Sequence, residues 1–150
     1  MTLSERIGEE LKSAMKAQDA ARVSTLRMLK SEVNAAAIKL GKNFLEDGEI
    51  FEVIQRMLKA HQESVEAFTK GARADLVEKE KKEIELLKVY LPPAMGEEEL
   101  KGIIKGAIGE LKVSGPLAMG QVMKAVMPKI KGRADGKLVN QLVTQLLQGG

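Results

Sequence analysis

Leu3, Ile7, Leu11 and Met15 recur at four-residue spacing, the interval that lines one face of an α-helix. Thr2 and Glu5 stand where a capping box would place them, each side chain accepting from the other residue's backbone N–H, so a first helix is predicted over about residues 2–18. Asp19 is placed to cap a second, whose stripe is Val23, Leu26, Leu29, Val33, Ala37 and Leu40; it ends at Gly41, a residue free to take the left-handed closing conformation. The pattern restarts at Asp47 with Ile50, Val53, Ile54, Met57, Leu58, Val65 and Phe68, and stops at Gly71. From Asp75 a fourth helix turns Leu76, Ile84, Leu87 and Leu91 inward, while the alternating charges between Glu78 and Glu85 read as a solvated face.

Pro92-Pro93 cannot continue that helix, because each ring removes a backbone donor and clashes with the preceding turn. A second unit follows. Glu97, Glu98 and Glu99 sit where a helix N-terminus favours negative charge, which accounts for the triplet better than catalysis, since the three point in different directions around the axis. Leu100, Ile103, Ile104, Ala107, Ile108 and Leu111 continue at helical spacing. Pro116 suits a first turn and opens a stripe of Leu117, Val122, Met123, Val126 and Met127, which Pro128 is expected to terminate. A loop from Lys129 to Gly136 leads to a last helix, capped by Asp135 and burying Leu138, Leu142, Val143 and Leu146. No window alternates with period two. The expected fold is therefore all-α, an N-terminal four-helix lobe over residues 1–93 and a small three-helix C-terminal lobe over residues 94–150.

Composition narrows the chemistry. Aromatic residues are 3% of the chain and Met numbers eight, so the cores are aliphatic, with Met28, Met57, Met123 and Met127 expected to fill them. There is no Cys and a single His, too few for a Cys- or His-based metal site, and no cofactor is expected. That histidine, His61, lies beside the buried stripe of the third helix and reads as structural. No Gly-rich phosphate loop occurs, and none of Ser4, Ser13, Ser24, Ser31, Ser64 and Ser114 sits in a nucleophile's context, so no catalytic residue is assigned. No stretch approaches the roughly 20 apolar residues of a membrane span, no signal-peptide pattern is present, and the expected location is cytoplasmic.

Charge then separates the lobes. Residues 1–93 carry 16 Lys and Arg against 16 Asp and Glu, and residues 94–150 carry eight against five, which places the whole net charge of +3 in the second lobe. Between Gln121 and Lys137 stand five cations, Lys124, Lys129, Lys131, Arg133 and Lys137, against the single acid Asp135. Pro128 and Gly132 are expected to hold a tight turn there, letting several cations and a helix N-terminus converge on one phosphate-binding surface. Gly71-Ala72-Arg73-Ala74-Asp75 repeats much of the Gly132-Arg133-Ala134-Asp135 punctuation at a helix junction with no cationic cluster around it. The Arg-Ala-Asp element therefore reads as structural, and the flanking lysines carry the functional signal.

The run Met119-Gly120-Gln121-Val122-Met123-Lys124, the run Met127-Pro128-Lys129-Ile130-Lys131-Gly132-Arg133-Ala134-Asp135-Gly136-Lys137, the Tyr90-Leu91-Pro92 hinge and the segment from Gly71 to Leu76 together closely resemble the GatB/YqeY family, over essentially the whole chain. The resemblance implies a helical domain followed by one similar to the tail of the B subunit of glutamine-dependent tRNA amidotransferase, a tail that contacts tRNA and holds no catalytic centre. Carried over by position, it implies tRNA contact around Gly120, Lys124, Lys131, Gly132, Arg133, Ala134, Asp135 and Lys137, with Gln121 standing where many relatives have Lys.

Read together, the nucleic-acid-binding candidates are Lys124, Lys129, Lys131, Gly132, Arg133 and Lys137, and the turn-and-cap residues are Gly120, Pro128, Ala134 and Asp135. The expected partner is tRNA or another structured RNA, because with so few aromatic side chains base stacking gives way to backbone and shape recognition. Two alternatives stand beside this. One is an accessory factor for a glutamine-dependent carbon–nitrogen ligase, partnered by an amidotransferase or aminoacyl-tRNA-related protein; the other is a helical protein-interaction adaptor.

Overall fold

The computed structural model describes residues 1–130 and 133–149. Among them the chain is all-α, with no strand, and it divides into two compact units, Met1–Leu91 and Pro92–Gly150. The first holds α1 (Leu3–Lys16), α2 (Ala20–Lys39), α3 (Asp47–Lys70) and α4 (Ala74–Lys88); the second holds α5 (Glu97–Leu111), a 3-10 turn (Pro116–Ala118), α6 (Met119–Ile130) and α7 (Gly136–Gly149).

The first two helix starts follow the capping chemistry. Thr2 and Glu5 form a reciprocal capping box, Asp19 accepts from the Arg22 N–H, and Gly41 takes φ +68° after α2. α3 ends at Gly71, yet the left-handed residue there is Ala72, at φ +55°, in the three-residue link to α4. That link makes α3 and α4 an antiparallel pair. α1 pairs with α2, and α2 touches the other three helices.

The core of the first unit joins Leu3, Ile7, Leu11, Leu26, Leu29, Val33, Ile50, Val53, Ile54, Met57, Leu58, Ile84 and Leu87. Each fully buried aliphatic side chain contributes about 1.5–3 kcal/mol. Met15 is not among them, being 49% exposed, and Ala14 takes its place. The reason is geometric: each four-residue step overshoots a full turn by about 40°, so after three steps Met15 has drifted about 120° from Leu3, whereas Ala14 is within about 20° of it. Leu40, just beyond the end of α2, and Met28 are likewise exposed rather than buried.

Tyr90 closes the first unit from its far end. Its ring is buried, its hydroxyl donates to Glu10 on α1, and the Arg6 guanidinium lies 4.9 Å from the ring centroid. Arg6 also donates to Glu10 at 2.9 Å. Burial alone would raise the Glu10 carboxyl, but bonds from Tyr90 and Arg6 more than offset it and hold the group below its ordinary value. Burial, then the Glu10 carboxylate, push the Tyr90 phenol well above its ordinary 10.0.

In the second unit α5, α6 and α7 each pack against the other two around Leu100, Ile104, Ala107, Val122, Val126, Ile130, Val139, Leu142, Val143 and Leu147. Several side chains depart from the sequence pattern, among them Leu111 at the end of α5, which is 41% exposed. Leu117 is fully exposed and Ala118 buried, because the 3-10 turn advances about 120° per residue and sets neighbours on separate faces. Leu138 lies at the stripe's edge, 37% exposed, and Val139 is buried in its stead. Pro128 lies inside α6, which runs on to Ile130; the ring leaves the Lys124 carbonyl without its helical donor, but burial of Ile130 at 1% exposure holds the final turn. Pro92 and Pro93 belong to this second unit, tied in by an Arg133 bond to the Pro93 carbonyl.

Tyr90 is the single tyrosine and the chain has no Trp, so its ionisation can be followed directly by tyrosinate absorbance. The folded protein should titrate above 10.0 and return to that value in denaturant. A phenol raised on folding stabilises the native state below pH 10.0, and that contribution is lost as pH climbs toward the folded value. Tyr90→Phe should cost about 1 kcal/mol at neutral pH and remove this alkaline loss, read by urea unfolding across pH.

Candidate functional site

The basic segment of the second unit is built on the end of α6, the turn after it and the start of α7. Lys124 and Lys129 lie on α6 and Lys137 in the first turn of α7; all three are exposed, and none forms an ion pair with another described residue. They do not share one face. Lys124 and Lys129, five residues apart, are rotated by about 140° around the α6 axis. Lys129 and Lys137 flank the α6–α7 turn, while Lys124 stands more than one helical turn away from it. Lys131 and Gly132 lie outside the described residues.

Arg133 has a different occupation. Its backbone N–H donates to Ile130, closing the turn, and its carbonyl accepts from the Met95 N–H at 2.8 Å. Its side chain is half-buried, with Nε donating to the Pro93 carbonyl at 3.3 Å and a terminal nitrogen 3.5 Å from the Glu99 carboxylate. This residue fastens the segment before α5 to the turn before α7. Arg73, in the matching Arg-Ala-Asp element, is also used locally, gripping Asp75 through two nitrogens at 3.2 and 3.1 Å. Of the other turn-and-cap residues, Asp135 accepts from the Lys137 N–H at 3.2 Å and so caps α7, and Ala134 packs on the core. Gly120 is not in a turn; it is the second residue of α6, and an added Cβ there would meet nothing within 4 Å. Of the acidic triplet, Glu97 and Glu98 lie 3.6 and 4.0 Å from Lys101.

A second constellation lies in the first unit, where the sequence pattern predicts a structural histidine and a solvated charge run. His61 on α3 faces Glu80 and Glu83 on α4, with its Nδ1 2.5 Å from one carboxylate and 3.4 Å from the other. All three side chains are mostly buried, at 19%, 17% and 19% exposure, and their donor atoms lie within 4.8 Å of one another, close enough to hold one cation. His61 also lines a cavity of about 310 Å³ with Met28, Glu32, Val53, Arg56 and Met57. A signal for this grouping exists in the sequence. With a tight link at residues 71–73, an antiparallel pair brings His61, about ten residues before it, opposite residues about seven to ten after it, and Glu80 and Glu83 share one face of α4 at i, i+3 spacing.

A family model described as "Yqey-like protein" matches residues 4–147. The chain is 32% identical over 145 residues to a protein of Pyrenophora tritici-repentis named altered inheritance of mitochondria protein 41, mitochondrial, with 95% of this chain and 79% of that one covered. A protein of the same name from Lachancea thermotolerans is 34% identical over 110 residues, covering 72% of this chain and 59% of its own length. A shorter likeness, 44% over 52 residues, is to a glutamyl-tRNA(Gln) amidotransferase component of Thermococcus sibiricus, covering 35% of this chain and 8% of that protein. The expected cytoplasmic location does not stand, because the relatives that match most of the chain are named as mitochondrial proteins. No helix among the described residues is long and apolar enough to cross a membrane.

Arg133→Ala should lower the stability of the second unit by about 1 kcal/mol, the scale of one charge-assisted bond at a part-exposed position. Lys124→Ala, on the exposed face of α6, should change it by less than about 0.5 kcal/mol. Chemical unfolding of the two variants beside the wild type distinguishes the structural cation from the unpaired one.

Proposed function

The chain belongs to the YqeY-like family, and on that footing we propose that it binds structured RNA, tRNA foremost, through the exposed lysines of its second unit, without carrying out chemistry of its own. The observation that carries this reading is that Lys124, Lys129 and Lys137 are exposed and form no ion pair with another described residue. Such lysines can meet a polyanion's phosphates without first breaking an internal bond, and each phosphate they neutralise releases a condensed counterion. Arg133, engaged with Pro93 and Glu99, positions the turn between Lys129 and Lys137 and leaves the phosphate contacts to the lysines.

Three lysines set around a helix and a turn suit a curved, folded RNA better than a straight strand, since a folded backbone presents phosphates in several directions. The near absence of aromatic residues, 3% of the chain, points the same way, because recognition of single strands rests on base stacking. A narrower form of this reading makes the RNA a tRNA presented to a glutamine-dependent amidotransferase. It is supported by the 52-residue likeness to a protein named for glutamyl-tRNA(Gln).

The test is binding of purified protein to total tRNA at about 50 and 200 mM salt, beside a Lys124→Ala/Lys129→Ala/Lys137→Ala variant that keeps Arg133. Wild-type affinity should fall roughly tenfold or more across that range, and the variant should bind at least about tenfold more weakly with a shallower salt slope. Unchanged helical circular dichroism of the variant excludes unfolding as the cause. A salt-independent affinity, or equal binding by the two proteins, removes the reading.

A further inference from the structure

We propose that His61, Glu80 and Glu83 form a binding site for one divalent transition-metal ion, which bridges α3 to α4 in the first unit. The donor set is one imidazole nitrogen and two carboxylates, drawn from two packed helices rather than from a loop. Zinc lies about 2.0–2.2 Å from nitrogen and oxygen ligands, which sets two ligands of a tetrahedral ion about 3.4 Å apart. The His61–Glu83 separation is 3.4 Å. The His61–Glu80 separation, 2.5 Å, has to open by about 1 Å on metal entry, within reach of a rotation of the glutamate side chain.

Proton bookkeeping favours a cation over a purely internal pairing. Both carboxylates face the same nitrogen, Nδ1, and that nitrogen carries at most one proton whatever the state of the ring. It can donate to one glutamate and leaves the other without a donor from His61. Nor do other side chains answer this charge: neither Glu80 nor Glu83 forms an ion pair with a described lysine or arginine, although Lys79, Lys81 and Lys82 are their neighbours in sequence and are exposed. Two carboxylates at 17% and 19% exposure thus share one proton donor, and carboxylates held so close repel. A divalent ion neutralises both and accepts the Nδ1 lone pair as well.

The ligand count and type select the metal class. Calcium takes six to eight oxygen ligands, about twice what is present here. Imidazole combined with carboxylate suits the manganese-to-zinc series. Three protein ligands leave at least one coordination position for solvent or a small ligand, and the cavity of about 310 Å³ that His61 also lines provides room beside the site.

His61 is the single histidine of the chain, so its ring signals in proton–nitrogen NMR report on this site without ambiguity. The full-length protein, stripped with a chelator, is titrated with Zn2+ beside a Glu80→Gln/Glu83→Gln variant, which keeps the reporter and the side-chain size. In the wild type the ring signals should shift and saturate at one equivalent while the thermal midpoint rises. The variant should bind Zn2+ at least about tenfold more weakly, and Mg2+ at the same concentration should leave the wild-type ring signals unmoved. Ring signals unmoved by excess Zn2+, a Zn2+ affinity unchanged in the variant, or an equal response to Mg2+ would each overturn the proposal. Should the variant fail to fold, the wild-type ring titration decides alone.

Discussion

An α-helix can turn only one stripe of its side chains inward, and in this chain those stripes are almost entirely aliphatic. With aromatic residues at 3% and no Cys, burial of Leu, Ile, Val, Ala and Met has to supply the cohesion of both units, and it does so around two separate cores. Everything polar is sorted by that requirement. Thr2, Glu5, Asp19 and Asp135 satisfy helix starts, Arg73 and Arg133 fasten helix junctions, the Tyr90–Glu10 and His61–Glu80 pairs are part-buried against neighbouring helices, and Lys124, Lys129 and Lys137 face solvent.

The sorting matters most in the second unit, where cations are numerous and only some are available. Arg133 belongs to the framework, because its backbone and side chain together hold the segment from Pro93 to Glu99 against the turn before α7. Lys124, Lys129 and Lys137 belong to the surface. A cluster of five cations in sequence thus resolves into one structural arginine, three exposed lysines and Lys131, which lies outside the described residues. The proposed RNA interface is correspondingly a spread set of point charges around a helix and a turn, and its specificity would come from the shape of the RNA backbone.

In the first unit the same packing brings together groups far apart in sequence. Tyr90 reaches Glu10 across 80 residues, and His61 reaches Glu80 across 19. Neither pairing is an accident of a loop: each joins residues on or beside rigid helices whose alignment is set by apolar stripes, so the polar groups are carried to each other by burial of their neighbours. That rigidity is what makes the histidine and its two carboxylates a candidate for cation binding.

The sequence by itself determined the helical class, the approximate start and stop of seven helices, the caps at Thr2, Asp19 and Asp135 and the left-handed Gly41, because caps and stripes are local and need no knowledge of neighbours. The family was legible too, from motifs spread over most of the chain. What it left open were the edges of the stripes and the meetings between helices. Ala14 over Met15 and Val139 over Leu138 were decided by a helical period that is not a whole number, and Leu117 was turned outward by a 3-10 turn. Pro128 stayed within α6 because the packing of Ile130 outweighed the local break. Glu80 and Glu83 read as part of a solvated run until α3 was laid against α4; a charged helix face is exposed or half-buried according to what packs beside it, and that is a property of the fold.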